Sequence, residues 1–191
     1  MYLFFDTETT GLPKNWKAPV TDLANWPRMI QLAWLLADAE GKKLAGGEFI
    51  IKPEGFTIPE EAARIHGITT ERALREGRDL LPVLKEFHEA LGRADCVVAH
   101  NISFDEKIMG AEFLRNGLPD TLPAKTRVCT MHSSTQYCAI PGPYGLKWPK
   151  LEELHRKLFQ TGFEAAHNAA ADVAATIKCF WELKRLGVIK A

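Results

Sequence analysis

The sequence lacks any apolar run approaching the roughly 20 residues of a membrane-spanning helix, although 46% of its 191 residues are hydrophobic. It also lacks an excess of charge. Lys and Arg number 24 and Asp and Glu 24, so there is no broad basic field of the kind that gathers polyanions. A neutral chain can still hold a partner at a few phosphates, where bound cations face the anion. The opening residues MYLFFDTE carry no basic stretch and turn acidic at Asp6, which argues against a secretory signal and for a cytoplasmic setting. Cysteine is sparse: Cys96, Cys129, Cys138 and Cys179 form no CxxC pair. Two of them fall in apolar segments, where a thiol acts as a small hydrophobe, so buried reduced thiols are expected. Cys129, His132 and Cys138 would need a fourth ligand to make a structural zinc site, and the sequence offers none that convinces. No repeat, low-complexity tract or linker interrupts the chain, so residues 1–191 are expected to form one domain around a continuous core.

What is present alternates between strand and helix signals. Residues 2–6 (YLFFD) form a short apolar run halted by polar residues and Gly11, the mark of a buried strand. Residues 29–37 (MIQLAWLLA) give a second strand, a turn follows around Gly41, and residues 43–51 give a third. Helices are expected over 59–66 and 79–91, the latter from the 3.6-residue spacing of Leu80, Val83, Leu84, Phe87 and Leu91. A buried strand over 95–99 leads to a helix from Ser103 to Asn116, with Ser103 and Glu106 spaced as a capping box and Gly117 as the stop. A strand near 127–130, an irregular Pro- and Gly-rich loop over 139–145, and helices over 149–159 and 168–186 complete the chain. Pro149 is expected in the first turn of the former helix. The whole reads as mixed α/β, a hairpin sheet extended by strand–helix units.

Carboxylates stand at the junctions. Asp6 and Glu8 are one residue apart at the end of the first strand, so both point to one face. Two like charges side by side repel unless a cation holds them. Asp105 falls in the first turn of the helix after the 95–99 strand. The helix dipole alone would favour an acid there, yet ligands commonly bind at such strand-to-helix junctions. Asp172 lies on a helical face otherwise built of Ala and Val. His167 is five residues earlier, about 500° around a helix and so about 140° off that face. The two meet at one point only if Asn168 begins the helix and His167 belongs to the loop before it. Four such acids would suit two divalent cations of the hard, oxygen-seeking type, magnesium or manganese. With a histidine as base, the reaction this chemistry suits best is phosphodiester hydrolysis.

At this point the sequence resembles the DEDDh branch of the DnaQ-like exonucleases. The motifs are FDTETTGL (5–12), HNISFD (100–105) and HNAAADV (167–173), with IHGIT (65–69) between the first two. The resemblance implies an RNase H-like fold, a mixed five-stranded sheet flanked by helices. It implies Asp6, Glu8, Asp105 and Asp172 as metal ligands for two Mg2+ or Mn2+ ions and His167 as general base. Thr9 would hold the terminal 3′ hydroxyl, Leu12 would wedge against the last bases, and His66, His100, Asn101 and Phe104 would line the substrate groove. The implied activity is 3′→5′ exonucleolytic release of nucleoside 5′-monophosphates from single-stranded DNA or RNA.

Other settings are a catalytically silent nucleic-acid-binding module, a phosphohydrolase of small nucleotides, or a proofreading subunit of a DNA polymerase. A polymerase partner is disfavoured by how soon the chain ends after its last helix, and a homodimer is left open. The segment 14–28 (KNWKAPVTDLANWPR) exceeds what a strand connection needs. Trp16 and Trp26 either stack on bases beside Lys14, Lys17 and Arg28 or fold the loop down on themselves.

Overall fold

The protein is described here by a computed structural model covering residues 1–163 and 168–190. Strand β1 (Tyr2–Thr9) pairs antiparallel with β2 (Met29–Ala37), which pairs antiparallel with β3 (Lys43–Ile50). β1 runs beyond the apolar segment because ladder pairing continues through its polar residues, with Asp6 opposite Ala33 and Glu8 opposite Gln31. Helices α1 (Glu60–His66), α2 (Thr70–Glu76) and α3 (Leu80–Arg93) follow. α2 was not anticipated; it is one short piece, begun by Thr69, whose side chain accepts from the Arg72 amide. Strand β4 (Cys96–Ala99), helix α4 (Ile102–Arg115) and strand β5 (Thr126–Cys129) extend the sheet. The order is β3-β2-β1-β4-β5, with β1, β4 and β5 parallel, giving the mixed five-stranded sheet.

The remaining elements are α5 (Thr130–Ser133), α6 (Thr135–Cys138), β6 (Pro141–Gly142), β7 (Gly145–Leu146), α7 (Leu151–Phe159) and α8 (Ala169–Arg185). Three local expectations are corrected. The 139–145 stretch is not wholly irregular, since β6 and β7 pair as a minimal hairpin. Pro149 precedes α7 rather than sitting in its first turn, and Lys150 is the cap residue. The Ser103–Glu106 capping box does not form. α4 begins earlier, behind Asn101 in the left-handed region (φ 71°). The Glu106 carboxylate is drawn instead to Arg127 on β5, 2.9 Å away. Gly117 does end α4, at φ 69°, where the Leu118 amide reaches back to the Phe113 carbonyl.

Alternation along the strands sorts the core into two layers. Leu3 and Phe5 of β1, with Leu32, Trp34 and Leu36 of β2, pack against Val83, Leu84 and Phe87 of α3 and Ile108, Met109 and Phe113 of α4. Phe4, Ala33, Ala37 and Val98 face the other way, onto Leu154 of α7 and Val173, Phe180 and Leu183 of α8. Phe180 is fully buried and meets Phe4 edge-on at 5.2 Å; its truncation to Ala would cost about 3–5 kcal/mol. All four cysteines are buried free thiols. Among the described residues no helix is long and apolar enough to cross a membrane.

Candidate active site

The position of β1 at the centre of the sheet decides where its carboxylates go. Asp6 and Glu8 continue the Phe4 face, toward α8; Thr7 continues the Phe5 face, toward α4. On the first side, carboxylate oxygens of Asp6, Glu8 and Asp172 come within 4.8 Å of one another, each residue half-buried. Asp172 is delivered by the first turn of α8. Asn168 caps that helix, its side-chain oxygen accepting from the Ala170 and Ala171 amides at 3.1 and 3.2 Å. On the second side, Asp105 is 3% exposed. One of its oxygens accepts from both the amide and the hydroxyl of Thr7, at 3.0 and 2.8 Å.

The electrostatics bring all four acids into one field. Burial, then the charges of Asp105, Asp172 and Glu8, hold the Asp6 carboxyl well above the usual carboxylate range. Burial, followed by Asp172 and Asp105, pushes Glu8 up to about 8. Asp105 is pushed up to about 7, chiefly by burial; the hydrogen bonds from Thr7 and from its own amide oppose this, and Asp172 adds to it. Acids crowded this way are neutral, share protons, or hold a cation. Hard oxygen donors from a rigid strand and two helices fit a divalent ion of the magnesium type.

Beside this cluster opens a cleft of about 620 Å³, lined by Glu8, Thr9, Leu12, Ile65, His66 and Phe104 among others. Thr9 donates its hydroxyl to the Gly11 carbonyl at 2.7 Å, which fixes the turn after β1. Pairing with β2 shifts register between Glu8 and Thr9, a bulge of the sort that re-aims side chains beside a site. Leu12 is 73% exposed at the rim. His66 ends α1 and is buried, with Nδ1 accepting from the Ile68 amide at 3.1 Å. His100 and Asn101 do not line this cleft. The His100 ring joins Thr130 at 2.9 Å and the Pro149 carbonyl at 3.0 Å, tying the β4–α4 junction to the chain before α7. A carbonyl can only accept, so Nε2 carries the proton and Nδ1 accepts from Thr130. Burial, partly opposed by the Pro149 hydrogen bond and assisted by His132, lowers His100 to about 4. His167 lies outside the described residues. Trp26 is 3% exposed, with its indole N–H donated to the Pro19 carbonyl at 3.0 Å, so this tryptophan folds the 14–28 segment on itself.

Residues 3–180 match the family RNase_T, described as exonuclease. The chain belongs to the exonuclease family. Among its relatives is the PolC-type DNA polymerase III of Staphylococcus aureus, 29% identical over 98% of this chain and 12% of that protein. Solved structures of the same fold include Escherichia coli exonuclease I in a zinc-bound complex with single-stranded DNA. That match has a TM-score of 0.75 and 25% identity and covers 97% of this chain and 40% of the other. The same enzyme in complex with a dT13 oligonucleotide gives a TM-score of 0.74 at 24% identity, over 97% of this chain and 42% of that one. The chain thus spans about an eighth of the polymerase and two fifths of exonuclease I.

Two residues of this exonuclease-family site were not singled out by sequence reasoning. Thr7 sits between Asp6 and Glu8 and looks like a spacer, yet it holds Asp105 from across the sheet. Gln31 is 2% exposed in the middle of the β2 apolar run. Its side-chain oxygen accepts from the Ala169 amide at 3.1 Å, and its amide donates to Glu48 at 3.2 Å. It therefore pins the start of α8, and with it Asp172, to the strand opposite Glu8. A lone amide in an otherwise apolar strand was the available signal, because a buried polar group demands partners.

Proposed function

We propose that the chain is a metal-dependent 3′→5′ exonuclease of the DEDDh type, acting on the 3′ end of single-stranded DNA or RNA. The observation that carries this reading is the convergence of Asp6, Glu8 and Asp172 within 4.8 Å, beside the buried Asp105, at the edge of an open cleft. These four carboxylates would hold two magnesium or manganese ions, which when bound would activate water and stabilise a leaving alkoxide. Thr9 and the turn after it would seat the terminal nucleotide, while Leu12 and Phe104 offer apolar walls to its base. His167 would take the proton of the attacking water as oxygen attacks phosphorus. The bond from phosphorus to the upstream 3′ oxygen breaks, that oxygen gains a proton, and a nucleoside 5′-monophosphate leaves. The single-stranded DNA in the exonuclease I complexes supports this substrate class. The likeness to a PolC-type polymerase makes proofreading beside a polymerase the rival setting. A cytoplasmic location and a single catalytic domain over 1–191 complete the reading.

The test is one panel. The protein is incubated with 5′-labelled single-stranded DNA, RNA and a mismatched duplex plus magnesium or manganese, beside Asp105→Ala and His167→Ala. A metal-dependent ladder shrinking from the 3′ end is expected, with both variants greatly slowed. Intact strands in every lane would sink the proposal. Turnover of free nucleoside triphosphates without strand shortening would favour a phosphohydrolase, and binding without either would favour a silent module.

A further inference from the structure

Trp16 is 54% exposed, yet it stands beside the cleft. Its indole packs on Phe104, with ring centroids 5.7 Å apart and planes tilted by 46°, and Phe104 is itself a wall of the cleft. Single exposed apolar residues are ordinary on a loop, but the segment bearing Trp16 is closely built. Its base is closed by the Thr10 amide donating to the Arg28 carbonyl at 2.9 Å and the Arg28 amide donating to the Thr10 hydroxyl at 3.0 Å. Its two limbs are joined by Asn15 and Asn25. The Asn15 amide donates to the Asn25 side-chain oxygen at 2.7 Å, and the Asn25 side-chain amide returns a bond to the Asn15 carbonyl at 3.0 Å.

From outside, Arg115 of α4 donates to the carbonyls of Leu23 and Trp26 at 2.6 and 2.7 Å. The fully buried Glu112 carboxylate balances Arg115 and Arg28, each at 2.9 Å. Order of this kind costs conformational entropy that an idle connection need not spend. The two tryptophans of the segment thus differ in role: Trp26 is folded inward and holds the segment together, while Trp16 is exposed and packs behind the cleft wall on Phe104. Lys14 and Lys17, both exposed, flank it.

We propose that Trp16 is a base-stacking residue, receiving a nucleobase upstream of the terminal nucleotide that occupies the cleft. Phe104 and Trp16 then form a two-step aromatic platform, and the flanking lysines face the strand's phosphates. An aromatic face with neighbouring cations is what a sequence-tolerant grip on a single strand requires. The assignment rests on the exonuclease reading above. It deepens that reading by making affinity depend on a base beyond the one being removed.

The experiment compares wild type, Trp16→Ala and Trp16→Phe on two substrates. One is the p-nitrophenyl ester of thymidine 5′-monophosphate, which has no upstream base. The other is a 5′-labelled oligothymidylate, intact or with an abasic residue second or third from its 3′ end. Trp16→Ala is expected to raise KM for the intact strand about tenfold, with Trp16→Phe retaining most of the affinity. An abasic residue at the stacked position should weaken wild type by a similar factor and add nothing in Trp16→Ala. Equal KM for the strand in wild type and Trp16→Ala would overturn the assignment. So would a loss as large on the ester as on the strand, since that marks a merely structural role. Wild type that cleaves neither substrate defeats the exonuclease reading instead. Anisotropy of the labelled strand then reads Trp16 alone, and an unchanged Kd in Trp16→Ala would dismiss it.

Discussion

Thr7 gives both its amide and its hydroxyl to a single oxygen of Asp105, at 3.0 and 2.8 Å. The donors and the acceptor are 98 residues apart in sequence and belong to different layers of the fold. The pairing fixes the rotation of the Asp105 carboxyl, so that its second oxygen is directed rather than averaged over orientations.

Thr7→Val keeps the shape and the amide but loses the hydroxyl donor. We expect kcat to fall about tenfold, equivalent to one net hydrogen bond of about 1.4 kcal/mol, with KM nearly unchanged. Thr7→Ser should restore most of the rate. An unaltered kcat in Thr7→Val, measured on a labelled strand at saturating metal, would remove Thr7 from the account.

Gln31→Leu leaves the Ala169 amide without its acceptor at the start of α8. The expected cost is about 1–3 kcal/mol in urea unfolding. Because the same helix start carries Asp172, metal affinity should weaken as well. Stability lost with metal affinity intact would mean that Gln31 supports the fold and not the site.

Divalent metal should stabilise the protein through the carboxylate cluster. At a metal concentration about 100-fold above Kd, linkage gives about 2.7 kcal/mol, or roughly 5–10 °C in Tm for a chain of this size. Asp172→Asn should lose most of this shift, and calcium or magnesium can serve as the probe. A thermal shift equal in wild type and variant would place the ion elsewhere.

His100 supplies a pH dependence. Its folded pKa, about 4, lies below its ordinary value of 6.5 because burial disfavours the charged ring. The unfolded chain therefore takes up a proton between pH 6.5 and 4 that the native state does not. Stability contributed by the neutral ring is present above about 6.5 and lost as pH falls through that window. Denaturation midpoints of wild type and His100→Gln at pH 8 and pH 5 test this. Wild type should lose more on acidification, and parallel losses would refute the burial argument.

Much of this architecture was legible in the sequence where a local rule decides it. β2 has the expected bounds because a nine-residue apolar run between polar flanks leaves little choice. Asn168 caps α8, the start expected for that helix, while His167 lies outside the described residues. The likeness to DnaQ-like exonucleases holds at the level of the exonuclease family. Long-range competition hid the rest. Glu106 had a local partner in Ser103, but Arg127 from β5 took it. The two tryptophans of 14–28 looked alike, and only the enclosure of Trp26 against Pro19 separated them. Thr7 and Gln31 act through partners 98 and 138 residues away; a lone amide in an apolar strand marks Gln31, whereas nothing local marks Thr7.

The sheet order has a kinetic consequence. β1 carries Asp6 and Glu8 just beyond Tyr2–Phe4, the stretch paired on both edges, whereas β3 and β5 are the outer strands. Fraying begins at outer strands and loops, and central strands open only with the whole domain. Amide exchange should therefore be slowest around Leu3–Phe5, at the foot of the carboxylate cluster, and faster along β3. Mild denaturant would then disturb β3 and the exposed loops well before it parts Asp6 from Glu8. A site built this way would lose its surroundings first and its two strand-borne carboxylates last.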